Sequence, residues 1–424
     1  MTSTIKRITV GNSKYALQLS TNVTIIQPEH QTITVQTIYP SNLSGSQSID
    51  VQVPTLNISV KGDSGYSPGY IVVDGVNTKK KVYSVLAHDE ITITATDAIK
   101  TEKKPLIISI DPNYDSKLDG FDIILNQYVE GTVYYNTIDD VATAKKWNSA
   151  NPLWLNNAGD ASKGASKYYF YSDDLNTSNI VNNIDKSNGC FVFSQSSNNI
   201  NDDSLPYPDV GTGVKIHISG NLSGLVDVSN NIGYLGGLFA RNSSSGIGLM
   251  GIDASELDVD DYVNWAVNND IYYSCKYLFV GSSLFKAPSL NAEKLNTGVY
   301  YGMFQNCYLL TDVPSTLPAT QGVREIYIYM FAGSTAITSS PSIKLVNLVN
   351  NGYEMGSMFT GCAKLTHIEC TTNVTRYTSN DSMSTHTPNW TKNINSTGTF
   401  VKSAGVVWPQ GDNGIPSGWT VIEN

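Results

Sequence analysis

Charge is what this chain has least of. Only 15% of its 424 residues are Asp, Glu, Lys or Arg. The polar surface must therefore come from Asn, Ser and Thr, and the charged residues that build extended helices are scarce. Basic surface is short as well. The net charge is −10, and the one basic run, Lys79-Lys80-Lys81, lies between short strand patterns and reads as a solvated turn. A chain without a basic face is not a general nucleic-acid binder. Cysteines are few and unpaired in pattern: Cys190, Cys275, Cys307, Cys362 and Cys370 make an odd number with no CxxC spacing. That argues against a disulfide framework. No window approaches 18 apolar residues, so no helix is expected to span or insert into a membrane. Met1 to Arg7 lead straight into Ile8-Thr9-Val10 without an apolar h-region or cleavage site, so no secretory signal is read here.

Signatures of chemistry are missing too. There is no P-loop, GxSxG elbow or HExxH. Gly246-Ile247-Gly248-Leu249-Met250-Gly251 matches GxGxxG literally, but it follows a serine-rich loop and no clear helix follows it. Nothing would then aim a helix N-terminus at a pyrophosphate. His30, His88, His217, His367 and His386 are scattered. His367 and Glu369 share a strand face, which is two ligands where zinc takes three or four. Asp258, Asp260 and Asp261, or Asp202 and Asp203, are acidic groups of the kind glycosidases use, but that chemistry needs two carboxyls held at a set separation across a cleft. No residue is assigned a catalytic, cofactor-binding or metal-binding role. One loop comes near: Asp111 to Asp122 places oxygen side chains at relative positions 1, 3, 5, 9 and 12, as a calcium-binding EF-hand does. Ser116 stands where Gly is needed and Asp122 where Glu is needed, so an acidic, solvated linker is the preferred reading over calcium.

What the chain does have is a repeated phrase. Tyr277-Leu278-Phe279, Tyr301-Gly302-Met303-Phe304, Tyr329-Met330-Phe331 and Ser357-Met358-Phe359 place Phe at intervals of 25, 27 and 28 residues. That period is the mark of a solenoid, whose units bury their apolar faces only by stacking. Three residues after each Phe stands something small: Ser282, Cys307, Ser334, Cys362. Its two cysteines read as small buried residues of an inner ladder. Specificity, if the array binds, would lie on variable positions such as Tyr308, Arg324 and Tyr327.

Taken in order, residues 1–20 alternate loosely, as an anchoring arm would. Residues 21–100 hold six short β-branched or alternating runs broken by Pro and Gly, which suggests a sandwich. Residues 101–122 read as a joint containing a strand, Leu106 to Ile110. Residues 123–210 are irregular α+β, with Ile138 to Trp147 as the best helix pattern. Trp147, Trp154 and the neighbouring tyrosines could line a sugar groove; core packing is the preferred reading. Residues 211–424 carry the repeat and close on a Trp-, Gly- and Pro-rich tail that would cap it. The expected class is mainly β and multidomain.

Two stretches resemble known families. His30 to Val35, Gly65-Tyr66-Ser67-Pro68-Gly69 and Ile91 to Thr96 resemble a small immunoglobulin-like module of fibre proteins from phages of Bacteroides, crAss-like phages included. Met303-Phe304-Gln305-Asn306-Cys307-Tyr308-Leu309-Leu310 and Met358-Phe359-Thr360-Gly361-Cys362-Ala363-Lys364-Leu365 resemble the BspA-like class of leucine-rich repeat. Leu317-Pro318-Ala319-Thr320 and the ending from Gly398 to Val421 fit its phage and prophage variant. These resemblances imply an immunoglobulin-like sandwich, an irregular middle and a leucine-rich-repeat-like solenoid. They imply a non-enzymatic virion fibre, attached to the major capsid or another virion protein through its N-terminal region; because only one short β-module precedes the distal half and no long coiled-coil or triple-β shaft is visible, a head fibre on the capsid exterior is the expected form. They also imply a homo-oligomer, expected as a trimer, holding a host-surface or mucus glycan with its C-terminal half. A tail receptor-binding protein, a bacterial surface adhesin and, last, a polysaccharide depolymerase are the alternatives. A surface-type composition without a secretion signal favours the virion, whose proteins leave by lysis.

Overall fold

The computed structural model describes residues 2–4, 22–26, 31–38, 55–62, 66–67, 69–86, 90–97, 99–100, 104–113, 121–125, 133–147, 152–156, 164–172, 175, 193–194, 214–226, 234–241, 249, 251–292, 294–346, 348–349, 352–372 and 383–424. Among them strands dominate, and the longest helix runs only from Asp260 to Asn268. The scarcity of helix-forming charged residues accounts for this. The chain divides into two compact units, Met1–Lys103 and Lys104–Asn424.

The first unit has two principal sheets. One contains Thr2–Thr4, Asn22–Ile25, Glu90–Ala95, Ile71–Val73 and Val76–Asn77 in that order; the other pairs Gln31–Ile38 with Thr55–Gly62 and Val82–Leu86. Alternation aims every second side chain inward. Thus Ile33 from one sheet, Leu56, Ile58 and Val60 from its neighbour strand, and Ile71, Ile91, Ile93 and Ala95 from the other sheet form one aliphatic core. Asn22–Ile25 runs parallel to Glu90–Ala95, whereas the other pairings of this sheet are antiparallel. The front of the expected arm, Thr2–Thr4, forms an edge of this sheet; the rest of residues 1–20, apart from these three, lies outside the described residues. The three sequence marks of this unit meet at one buried amide. Gln31 accepts from Gly69 N at 2.9 Å and donates to Thr96 O at 3.0 Å.

The second unit is built on an eight-stranded sheet that changes character across its width. Lys145–Lys146, Val133–Asn136, Lys167–Ser172, Leu106–Ile110 and Ile216–Asn221 pair antiparallel in that order; from Ile216–Asn221 onward the pairing is parallel, to Ile252–Asp253, Leu257–Asp258 and Leu284–Lys286. The expected joint at 101–122 thus contributes an interior strand: Leu106, Ile108 and Ile110 are buried between neighbours on both sides. The separation expected between 123–210 and 211–424 also gives way. One core cluster runs from Leu106 to Trp419.

The helix expected at 138–147 is replaced by a single 3-10 turn, Val141–Thr143, and the strand Lys145–Lys146. Short polar side chains win the local backbone here. Asp140 accepts from Ala142 N at 2.9 Å and from Thr143 Oγ1 at 2.8 Å, while Asn136 donates to Asp140 O at 2.8 Å. Trp147 N then bonds Val133 O at 2.8 Å, and the indole is buried.

Past Ile216 the chain forms stacked coils. One side of the stack is the parallel ladder, resumed as Ser339–Ile343, His367–Cys370, Thr399–Lys402 and Thr420–Glu423. The other side is a run of overlapping turns. Within a coil, amides bond three residues back, as in Ser282 N to Phe279 O at 3.0 Å; between coils they bond the next turn run. Phe279 N reaches Met303 O, Phe304 N reaches Met330 O, Phe331 N reaches Met358 O and Phe359 N reaches Trp390 O, each at 2.9–3.0 Å. The repeated phenylalanines therefore stand directly above one another. Phe239, Phe279, Phe304, Phe331 and Phe359 form a column with ring centroids 5.1–5.9 Å apart and planes within 20°. Phe193 extends it at one end, and Trp390 and Trp408 at the other. Trp147 and Phe170 pack on Phe193, so these aromatics are core.

Candidate binding surface

The small residue after each Phe does more than save space. Cys307 Sγ donates to Phe279 O at 3.1 Å, Ser334 Oγ to Phe304 O at 2.7 Å and Cys362 Sγ to Phe331 O at 3.1 Å. Each coil thus satisfies a carbonyl of the coil before it with a small hydrogen-bond donor. Burial pushes the thiols of Cys307 and Cys362 up to about 12, which keeps the donating proton on sulfur. Cys275 and Cys370 are buried and free as well. Cys190 lies outside the described residues.

The outward face of the turn runs is organised by backbone conformation. Positions 273, 298, 325 and 353 fall above one another, as do 277, 302, 329, 357 and 389, and all have φ between +50° and +66°. This left-handed region suits glycine and asparagine and costs a side-chain-bearing residue roughly 1–2 kcal/mol. The chain nevertheless puts tyrosine there four times: Tyr273, Tyr277, Tyr329 and Tyr353. Glycine fills the slots next to the first two for a steric reason. A Cβ on Gly298 would come within 2.1 Å of the Tyr273 ring, and one on Gly302 within 2.4 Å of the Tyr277 ring. Each of these rings lies over a glycine of the following coil.

Tyr301 stands between them. Its centroid is 5.9 Å from Tyr273, 5.6 Å from Tyr277 and 5.7 Å from Tyr329, edge to face in every case. The result is an aromatic row crossing three coils, with Tyr329 37% exposed and the others half-buried. Lys276 sits within it, its ammonium 5.5, 5.0 and 4.9 Å from the centroids of Tyr273, Tyr277 and Tyr301. Each such contact is worth about 0.5–1 kcal/mol at an exposed site. At the rim, Glu325 accepts from Tyr273 OH at 2.5 Å and from Arg324 Nε at 3.1 Å. Burial first, and the Glu325 carboxylate second, push the Tyr273 hydroxyl up to about 12. The Tyr273 hydroxyl therefore keeps its proton and its hydrogen bond at physiological pH.

Of the surface positions expected from sequence, Arg324 is exposed at this row and Tyr308 is half-buried. Tyr327 is different: it is fully buried, stacks on Tyr300 at 6.2 Å and accepts from Ala319 N at 2.9 Å, so it belongs to the interior. The acidic candidates are used structurally. One Asn221 amide bridges Asp258 at 2.7 Å and Asp261 at 2.8 Å, Asp258 also accepts from Asp260 N, and Asp260 accepts from Asn291 N at 2.9 Å. Asp202 and Asp203 lie outside the described residues. Glu369 accepts from Ser342 Oγ at 2.8 Å across the ladder, and His367 lies beside it on the strand, half-buried. Trp154 is half-buried, its carbonyl accepting from Tyr168 OH at 3.0 Å.

Most of the Asp111 to Asp122 loop, residues 114–120, lies outside the described residues. Asp111 itself bonds His217 Nε2 at 2.8 Å and Asn113 N at 2.7 Å. It ends a polar chain on the sheet: His217 faces Asp253, and Asp253 bonds Lys286 at 2.8 Å past a register shift between the two strands. Among the described residues no group of three or more His, Cys, Asp and Glu is placed to hold a metal.

Sequence reasoning missed a buried pair. His386 Nδ1 meets Glu354 Oε2 at 2.6 Å, and Glu354 Oε1 accepts from Val349 N at 2.6 Å. Glu354 takes the rung that Val299 and Ile326 fill in the two preceding coils. Aligning Ile326-Tyr327 with Glu354-Met355 exposes that charge at a core position.

No protein-family model matches the chain, and no curated protein or solved structure matches it significantly.

Proposed function

We propose that this chain is a non-enzymatic attachment protein of a phage virion, with an immunoglobulin-like N-terminal module and a leucine-rich-repeat-like C-terminal array that holds glycans of a host surface or of mucus. The observation that carries this reading is the tyrosine row on the turn face of the coils. Aromatic rings held at a rigid surface are suited to stacking on sugar rings, and here three of the row's tyrosines, Tyr273, Tyr277 and Tyr329, occupy backbone slots that favour glycine. Such outliers are a reason to look for function. The acidic groups, by contrast, are committed to internal hydrogen bonds. Support for the two module assignments comes from the inward Met, Phe and Cys positions of each coil and from the parallel pairing of the first unit's Asn22–Ile25 with Glu90–Ala95. As a capsid-decorating homotrimer, the protein would gain avidity from many weak contacts.

Two measurements test the reading. Cryo-electron microscopy of the particle should place the chain on the capsid exterior; density on tails alone would move it to a receptor-binding fibre, and its presence only on bacterial cells would end the virion assignment. Purified full-length chain should bind host cells or immobilised mucin without consuming the glycan. Turnover of capsule polysaccharide that is lost in Asp258→Asn would make it a depolymerase.

A further inference from the structure

The parallel ladder ends on an open strand. Thr420–Glu423 pairs with Thr399–Lys402, and among the described residues no strand pairs on its far side. Trp408 and Trp419 close the core at this end, yet all four residues of the strand are exposed. In a parallel strand the N–H and C=O of one residue point to the same side. Thr420 N bonds Gly398 O at 2.9 Å, Asn424 N bonds Lys402 O at 2.9 Å, and Asn424 O accepts from Ala404 N at 3.0 Å. The even positions therefore face the ladder, and the N–H and C=O of Val421 and Glu423 face away from it.

The antiparallel end of the eight-stranded sheet is guarded by Lys145–Lys146, both exposed. Lysine on an edge deters pairing with another chain. The Thr420–Glu423 edge has no Lys or Pro and no register shift. Its apolar residues are out in solvent, Val421 41% and Ile422 45% exposed, and its one charge, Glu423, is held by Lys402. This edge fits a second copy of itself. Laid antiparallel about a two-fold axis through Ile422, Val421 of each copy meets Glu423 of the other as a hydrogen-bonded pair, so every outward N–H and C=O of both strands is satisfied. Ile422 then meets its own counterpart as the close, non-hydrogen-bonded pair, with Cα atoms about 4.5 Å apart. It extends the face on which Val401, its neighbour in register, is already buried. Centring the axis on Val421 instead would set Glu423 against Trp419, whose N–H is already given to Pro416 O at 3.2 Å.

We propose that Thr420–Glu423 is an isologous interface that joins two copies of this chain edge to edge into one continuous sheet. This goes beyond the attachment reading and does not depend on it, since a two-fold contact here is compatible with a threefold contact elsewhere in the chain.

The test is sedimentation equilibrium of the full chain, whose mass should double with concentration, because a short edge contact is weak. Ile422→Lys should raise the concentration for doubling about tenfold or more. Val421→Pro removes an N–H that no bond within the chain uses and should act likewise, with an unchanged circular dichroism spectrum. In oxidised glutathione, Ile422→Cys should form a disulfide-linked pair, since its separation lies within the span a disulfide bridges. Thr420→Cys, which would face Asn424 of the second copy, should link no more than the wild type. A mass that does not double up to about 1 mM overturns the proposal. So does a doubling that either Ile422→Lys or Val421→Pro leaves unchanged, equal linking at 420 and 422, or none at 422. Protection of the Val421 amide from hydrogen exchange in the undoubled species would mean that another segment of the chain covers the edge, which overturns it as well.

Discussion

The two units solve the burial problem in different ways. The first closes two sheets over a buried core of Ile, Leu, Val and Ala, and among its described residues Tyr83 packs against that core only partly buried. The second stacks rings, and its interior is a column of Phe continued by Trp, with Met, Cys and Tyr around it. A closed sandwich asks each position only to be apolar and to alternate correctly, so its residues are interchangeable within volume limits. A stack asks the same rung of every coil for the same shape, because each ring is both floor and ceiling for its neighbours. The first kind of core tolerates drift in sequence, and the second preserves a visible period.

That comparison can be broken most directly in the middle of the column. Phe331→Ala should cost about 3–5 kcal/mol, while Ile93→Val in the sandwich should cost about 0.5–1.5 kcal/mol. Denaturant unfolding of the full chain, followed separately by aromatic near-ultraviolet signal and by total secondary structure, measures both. Equal losses would mean that the stack is no more exacting than the sandwich. A loss of about 1–3 kcal/mol is expected for His386→Ala, which leaves Glu354 buried without this hydrogen-bond partner; a neutral result in the same unfolding measurement would show that the pair is dispensable.

The donor ladder gives a smaller and sharper contrast. Cys307→Ser keeps a donor to Phe279 O and should change stability by less than about 1 kcal/mol. Cys307→Ala removes the donor and should cost about 1–3 kcal/mol. If the two variants melt together, size alone governs that position.

The smallest effect concerns the seam where the sheet turns parallel. Burial raises the Asp253 carboxyl, but hydrogen bonds from Lys286 and Ser255 outweigh it and hold the group below its usual 3.8. A depressed carboxyl adds stability above its unfolded value and loses it as pH falls through the folded one. The gap in melting temperature between wild type and Asp253→Asn should therefore be full at neutral pH and shrink below about pH 4. A gap independent of pH would remove the ionic explanation.

Much of the fold was legible because strand residues and stack residues leave local signatures. Runs such as Leu56 to Val60 and Ile91 to Thr94 showed their alternation, and the Phe spacing announced the coils. The helix at 138–147 was misread because its charge order imitates a helix, while Asn136 and Asp140 hold the backbone in a turn. The surface site was only partly legible. Tyr277, Tyr301 and Tyr329 stood in the repeat phrase, but nothing local told the outward Tyr329 from the inward Tyr327 two residues earlier.

The sequence by itself determined the interior of the stack, since a rung shared by every coil must recur at the coil's own length. Only the tertiary structure decided which segments join the central sheet and which tyrosines reach the surface. Leu106–Ile110 finds its neighbours at Lys167–Ser172 and Ile216–Asn221, and Tyr277 finds its glycine at 302, a coil away. Such partners are set by hydrogen bonds and close packing between distant residues, and no short-range pattern encodes them.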